Sequence, residues 1–135
     1  MNRAEKEIFL RGYEELCDLV EEKENDIEAF QSKIENAKVQ KISGMPFGGK
    51  TSGLEDAMAK LEVLEKEWFK AESTRLGRYE DIVEAIAKLA DETERTVLCM
   101  RYLEFHPWNT IAHSIGRKLR QTHNIYARAV RNLEL

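Results

Sequence analysis

The feature that most constrains the fold is a row of apolar residues in the first 40 positions, spaced alternately four and three residues apart. The row consists of Phe9, Tyr13, Leu16, Val20, Ile27, Phe30, Ile34 and Ala37, and only Lys23 interrupts it. This heptad spacing places the whole row on one face of an α-helix. Such a helix, about 50 Å long at 1.5 Å per residue, cannot bury the stripe against itself. A partner helix is therefore required.

A second helical pattern supplies that partner. It begins near Ser52 to Leu54 and runs to about Leu89, with a predicted stripe of Leu54, Met58, Leu61, Leu64, Trp68, Leu76, Tyr79, Val83, Ile86 and Leu89. The phase slips between Ala71 and Gly77, where we expect a bend or a change of packing partner. Because 34% of residues are charged and only 8% aromatic, an elongated all-α protein fits better than a deep core.

Residues 40–53 separate the two patterns and contain Pro46 and four glycines, so they predict a loop. The loop closes an antiparallel, coiled-coil-like helical hairpin over residues 1–90. Within it, Gly44, Gly49, Lys50 and Thr51 satisfy the spacing of a phosphate-binding Walker loop. That motif needs a buried strand before it, whereas a charged helical pattern leads into Gly44. We therefore favour the hairpin loop over a nucleotide site.

Residues 91–135 predict a second domain of short helices. Asp91 and Glu94 resemble a capping box that starts a helix reaching Leu103. The next helix presents its inward face with Trp108, Ile111, Ala112 and Ile115. Gly116 suits the tight turn that follows, because glycine adopts positive φ without strain. A last helix turns Thr122, Ile125, Ala129 and Leu133 inward. This arrangement predicts a helix-turn-helix.

The charge balance changes sign along the chain. Residues 1–90 hold 14 Lys or Arg against 20 Asp or Glu, giving −6, whereas residues 105–135 hold five basic residues against Glu134 alone, giving +4. The basic end coincides with the last helix, whose outward residue types can bind base edges and phosphates. These observations predict binding to double-stranded DNA, and a solvated basic face is the alternative.

The C-terminal segment resembles a known DNA-binding family. The stretch ERTVLCMRYLEFHPWNTIAHSIG followed by IYARAVRNL is similar to region 4 of bacterial sigma-70 factors, and more closely to the phage-encoded ArpU and RinA-type late transcription regulators. SGMPFGG followed by a long helix also resembles a phage family of unassigned function that carries the same module. The resemblance implies a phage or prophage origin, a sigma region 4-like helix-turn-helix and a role in transcription control.

The resemblance also implies which residues read DNA. Base-reading positions fall at Leu119, Arg120, His123 and Asn124, with Arg128 and Arg131 nearer the DNA backbone. The full predicted interface adds three neighbours on the same surface: Arg117, Lys118 and Gln121. Two departures alter the expected base preference, since Lys118 stands where the family usually has a Ser or Thr helix cap and Leu119 replaces a common Arg. Thr122 also replaces an apolar Val or Ile.

Other functional classes lack their signatures in the sequence. No apolar run is long enough to span a membrane, and the first residues do not resemble a secretion signal, so we expect a cytoplasmic protein of a bacterial host cell. Cys17 and Cys99 are expected to be buried thiols. His106, His113 and His123 lack partners at metal-ligand spacing. We expect no metal, cofactor or catalytic site.

Two functions remain open at this point. In the first, the protein is a transcription regulator that binds DNA, is a homodimer through its heptad seam, and uses the hairpin to fix that state or to contact host RNA polymerase. In the second, the acidic hairpin is an inhibitor that binds a host nuclease, RNA polymerase or another host protein.

Overall fold

The computed structural model describes residues 1–42 and 52–135, and this part of the chain is helical without strands. It contains two long helices, three short ones and one π-helical segment that continues the third helix. Their bounds are α1 Arg3–Ile42, α2 Ser52–Ala87, α3 Glu92–Leu98, the π-helical segment Cys99–Leu103, α4 Trp108–Ile115 and α5 Leu119–Asn132. The predicted all-α class is confirmed. None of the helices in these two ranges is both long and apolar enough to cross a membrane.

The chain divides into two compact units, to which α1 and α2 both contribute. Unit 1 comprises residues 1–17 and 74–135, and unit 2 comprises residues 18–73. Unit 1 therefore contains the ends of both long helices together with the short helices. The division into functional domains at residue 90 stays a prediction.

In unit 2, α1 and α2 run antiparallel. Lys23 Nζ lies 3.4 Å from Glu67 Oε2, and the Trp68 indole donates a hydrogen bond to Glu24 at 3.2 Å. Further along, the Lys60 ammonium lies 5.2 Å from the centre of the Phe30 ring. From the Lys23–Glu67 contact to the Phe30–Lys60 contact, partner numbers on α2 fall as those on α1 rise, as an antiparallel hairpin requires. The Walker-like spacing from Gly44 to Thr51 lies outside the described residues.

The predicted stripe on α2 is only partly correct: Ile86 and Leu89 are buried as predicted, whereas Leu54 and Met58 near its start are 49% and 52% exposed, and the stripe is wrong over residues 76–83. The helix continues without a break through residues 71–77. Heptad spacing persists along its buried or partly buried positions, which are Ala71, Arg75, Arg78, Ile82, Ala85 and Leu89. Leu76, Tyr79 and Val83, which we expected to be buried, are 44%, 39% and 37% exposed. The apparent slip in phase arose because two arginines occupy apolar-type positions.

In unit 1, the Arg78 side chain extends from α2 to α1 and passes beside Gly12. Its guanidinium donates from Nη1 to the Phe9 carbonyl at 2.9 Å and lies 4.2 Å from the centre of the Phe9 ring. A Cβ built on Gly12 would collide with the same Nη1 atom. Gly12 therefore makes room for the partly buried Arg78 side chain. One turn earlier on α2, Arg75 donates to the Tyr13 hydroxyl at 3.1 Å.

The core of unit 1 joins α1 and α2 to all the short helices. Its fully buried large side chains include Leu10, Ile82, Leu98, Ile111 and Leu133. Cys17 and Cys99 pack against this core but are only partly buried, and burial raises the pKa of the Cys99 thiol.

Two tyrosine hydroxyls form a buried hydrogen bond in this core, with Tyr102 and Tyr126 oxygens 2.5 Å apart. Burial raises the pKa of both phenols, and the bond to Tyr102 raises that of Tyr126 further. Burial likewise raises the pKa of Tyr13. Unit 1 therefore holds three tyrosines that resist ionisation.

The Gly12 arrangement predicts opposite effects of alanine at two helical glycines of unit 1. Gly77 has open space where a Cβ would go, so Gly77→Ala should raise the free energy of unfolding by about 0.5–1 kcal/mol. Gly12→Ala should lower it by about 1 kcal/mol, because the methyl group displaces the Arg78 guanidinium from the Phe9 carbonyl. Urea denaturation measures both. In an Arg78→Ala background Gly12→Ala should become stabilising, and equal stabilisation by both alanines in the native background would contradict this geometry.

The raised tyrosine pKa values predict alkaline instability of unit 1. The unfolded chain releases phenolic protons near pH 10 while the folded chain retains them, so stability is complete below pH 10 and falls above it. Each affected tyrosine should contribute up to about 1.4 kcal/mol per pH unit. Urea denaturation from pH 9 to 11 measures the slope. Tyr102→Phe with Tyr126→Phe should make the slope shallower, and an unchanged slope would contradict the assignment.

Candidate nucleic-acid interface

A carboxylate pair at the start of α3 fixes the position of α5. Only the Asp91 half of the predicted capping box forms: its Oδ1 accepts from the backbone N–H groups of Thr93 and Glu94 at 2.8 and 3.2 Å, whereas the Glu94 carboxylate bonds elsewhere. The Glu94 side chain turns towards α5, where Oε1 accepts from Arg128 Nε at 2.7 Å and from Asn132 Nδ2 at 3.3 Å. Glu94 is only 3% exposed. A buried carboxylate needs such partners, so it fixes the rotation of α5 about its axis.

The turn between α4 and α5 has the geometry that the sequence indicated. Gly116 has φ +68° and ψ 34°, the left-handed conformation expected after a helix. Its N–H donates to the His113 carbonyl, and the Arg117 N–H donates to the Ala112 carbonyl at 3.0 Å. Helix α5 begins at Leu119, two residues after Arg117. Ile111 and Ala112 are buried as predicted.

The start of α5 is capped from within. The Gln121 side-chain oxygen accepts from the Lys118 backbone N–H at 3.2 Å. Lys118 has no acceptor on its side chain, so only this half of a capping box forms. Thr122 is fully buried, and its hydroxyl donates to the Lys118 carbonyl at 3.0 Å. A hydroxyl satisfied in this way explains how threonine occupies an apolar position.

Helix α5 separates its residues cleanly into two faces. Thr122, Tyr126, Ala129, Val130 and Leu133 are buried, although the sequence had not indicated Tyr126 or Val130. All nine predicted interface residues are exposed and follow one another along this helix and the turn before it: Arg117, Lys118, Leu119, Arg120, Gln121, His123, Asn124, Arg128 and Arg131. The exposed face carries several cations and one amide of the type that binds adenine.

Among these nine residues, Arg128 and His123 also contact side chains outside α5. Arg128 pairs with Glu94, and its Nη2 atom lies 3.7 Å from Asp91 Oδ2, so two carboxylates offset its charge. The His123 ring lies against Trp108, with ring centres 4.7 Å apart. The same indole contacts the Tyr126 ring and the Arg101 guanidinium. Sequence patterns do not reveal such pairs, because their members lie on different helices, well apart in the sequence.

The N-terminal helix supports the other end of α5. Lys6 Nζ donates to the carbonyls of Val130 and Arg131 at 3.1 and 3.2 Å. A cation at a helix C-terminus offsets the negative end of the helix dipole. Nearby, a hydrogen bond from Arg3 lowers the pKa of Glu7. No local sequence pattern indicates this support, because Lys6 and Val130 are 124 positions apart.

The described residues contain no group of three or more His, Cys, Asp or Glu side chains that could hold a metal ion. No protein-family model, curated protein or solved structure matches the chain. Its function must therefore be inferred from its own residues.

The Glu94 site predicts a strong energetic coupling across α3 and α5. Arg128→Ala should lower the free energy of unfolding by about 1–3 kcal/mol, because it removes the shortest bond to a buried carboxylate. Arg131→Ala, another exposed arginine on α5, should change it by less than about 0.5 kcal/mol. A double-mutant cycle with Glu94→Ala should give a coupling of about 1 kcal/mol or more. Additive effects would show that the pair does not stabilise the fold.

Proposed function

We propose that this protein is a DNA-binding transcription regulator that reads duplex DNA with the exposed face of α5. The observation that carries the proposal is the separation of α5 into a buried face and a continuous polar, mostly basic face directly after a tight turn. An α-helix fits the major groove, where each base pair presents its own pattern of donors and acceptors. Helices α4 and α5 with Gly116 between them form the helix-turn-helix of this proposal.

The first two turns of α5 are proposed to read bases. Arg120 can donate two bonds to a guanine edge, and Asn124 can pair with adenine. Leu119 offers an apolar contact of the kind that suits a thymine methyl group. His123 is held against Trp108, so its ring is preoriented on this surface.

Three further groups are proposed to bind the phosphate backbone: Arg117, Lys118 and Arg131. Gln121 accepts a capping bond through its oxygen, which leaves its amide N–H groups for DNA. Arg128 is proposed to play the smallest part, because Glu94 and Asp91 already offset its charge.

The wider biological assignment rests on the resemblance to sigma-70 region 4 and to ArpU and RinA-type regulators. Under the proposal the protein comes from a bacteriophage or prophage and acts on transcription in the host cytoplasm, in contact with host RNA polymerase. A homodimer on DNA belongs to the same proposal, since two copies of α5 would then read half-sites one helical turn apart. The α1 seam pairs with α2 of its own chain, so another surface must join the copies.

Alanine substitutions on α5 should separate base reading from phosphate binding. With the preferred duplex chosen by selection from random sequences, Arg120→Ala or Asn124→Ala should weaken binding by about 1–3 kcal/mol and relax the preference at one base pair. Arg131→Ala should weaken all sequences alike and lower the salt slope by about 1. Fluorescence anisotropy across a salt series measures both effects.

Lys33→Ala is the matched control, because it removes an exposed cation from unit 2 and should leave DNA affinity unchanged. Circular dichroism of each variant verifies the fold. Equal binding of all duplexes at low salt, or equal losses at Arg131 and Lys33, would overturn the proposal.

A further inference from the structure

Unit 2 carries an open groove that the proposed function does not use. The groove has a volume of about 770 Å³ and lies between one face of α1 and one face of α2. Its lining residues are Glu24, Ile27, Glu28, Glu62, Glu65, Lys66, Trp68 and Phe69. They recur at helical spacing, at steps of three and four on each helix, so the groove follows the paired helices.

The floor of the groove is apolar and one aromatic residue is notably accessible. Ile27 and Trp68 are partly buried where the two helices meet, whereas Phe69 is 67% exposed. The indole N–H of Trp68 is bonded to Glu24, which holds the floor in place. An exposed phenylalanine beside a preformed apolar floor is typical of a surface that a partner covers.

The rim of the groove is acidic. Four glutamates line it against the single cation Lys66. Among the described residues, Glu28, Glu62 and Glu65 form no ion pair with a basic side chain. The whole of residues 18–73 holds 13 Asp or Glu against 8 Lys, giving −5. The apolar floor is therefore flanked by three carboxylates that pair with no basic side chain in the described part of the chain.

We propose that this groove binds a cationic amphipathic helix of a partner protein. Two antiparallel helices leave a groove that a third helix fills with apolar anchors at i, i+3 or i+4, and i+7. Lysines or arginines beside those anchors complement the four carboxylates. A second copy of unit 2 fits poorly, because it would bring another net charge of −5 to the same rim. The proposal does not depend on DNA binding by α5.

The test uses a synthetic peptide of about 18 residues, five helical turns, with leucines on one face and lysines on the other. Two comparison peptides carry glutamate in place of lysine, or the same residues in an order without amphipathic spacing. The chain has two tryptophans, Trp68 in unit 2 and Trp108 in unit 1. Their indole N–H signals in NMR spectra report on each unit separately, and Trp68→Phe assigns them.

The lysine peptide should shift the Trp68 signal saturably, leave the Trp108 signal in place, and bind more weakly as salt rises. Phe69→Ala should weaken binding at least tenfold, and Glu62→Gln with Glu65→Gln should weaken it several-fold and flatten the salt dependence. Val63→Ala is the control, since Val63 is 54% exposed on the same helix but does not line the groove.

Three outcomes would overturn the proposal. The first is that the lysine peptide causes no saturable shift of the Trp68 signal. The second is that the glutamate peptide or the reordered peptide binds as tightly as the lysine peptide. The third is that the Trp68 signal shifts with protein concentration when no peptide is present. The last would identify a second copy as the occupant. DNA affinity measured on the same Phe69→Ala sample should be unchanged, so a failure here is distinguishable from a failure of the α5 assignment.

Discussion

The carboxylate of Glu94 determines which face of α5 meets solvent. A carboxylate that is only 3% exposed needs hydrogen-bond partners, and the partners of Glu94, which are Arg128 and Asn132, lie one turn apart on the last helix. Once these bonds form, rotation of the helix would leave a buried carboxylate without partners. The buried apolar residues Ala129 and Val130 favour the same rotation. Because Arg128 itself belongs to the polar face that we propose for DNA, these bonds orient that face directly.

Most of the fold could be predicted from periodicity alone. Every residue of the heptad row on α1 except Ala37 is at least partly buried. A long helix with heptad spacing covers such a row by pairing it with another helix. The second half of α2 could not be predicted so well. There Arg75 and Arg78 occupy positions of the heptad spacing that are usually apolar. An arginine can be partly buried at such a position when its guanidinium bonds to a carbonyl or hydroxyl, or lies over an aromatic ring. Only the fold brings Phe9 and Tyr13 to those arginines.

The exposed residues of the candidate site were also predictable, because amphipathic spacing separates the two faces of α5. Their partners were not. The pairing of Arg128 with Glu94, the stacking of His123 on Trp108 and the support from Lys6 all join distant positions. Local patterns carry no information about such contacts. A residue type suited to DNA can equally serve the fold, and Arg128 illustrates why exposure and charge alone do not assign a role.

The bond from Lys6 to the carbonyl of Val130 spans 124 positions, and it has a consequence for synthesis on the ribosome. Unit 1 is discontinuous, whereas unit 2 is built mainly from one uninterrupted stretch. The ribosome synthesises a chain from its N-terminus onwards, at roughly 5–20 residues per second. The hairpin can thus pair while translation continues, but the first turns of α1 must wait for α5. Until then Leu10 and Tyr13 lack their final neighbours in the core, and apolar side chains left open in this way can bind chaperones or other nascent chains.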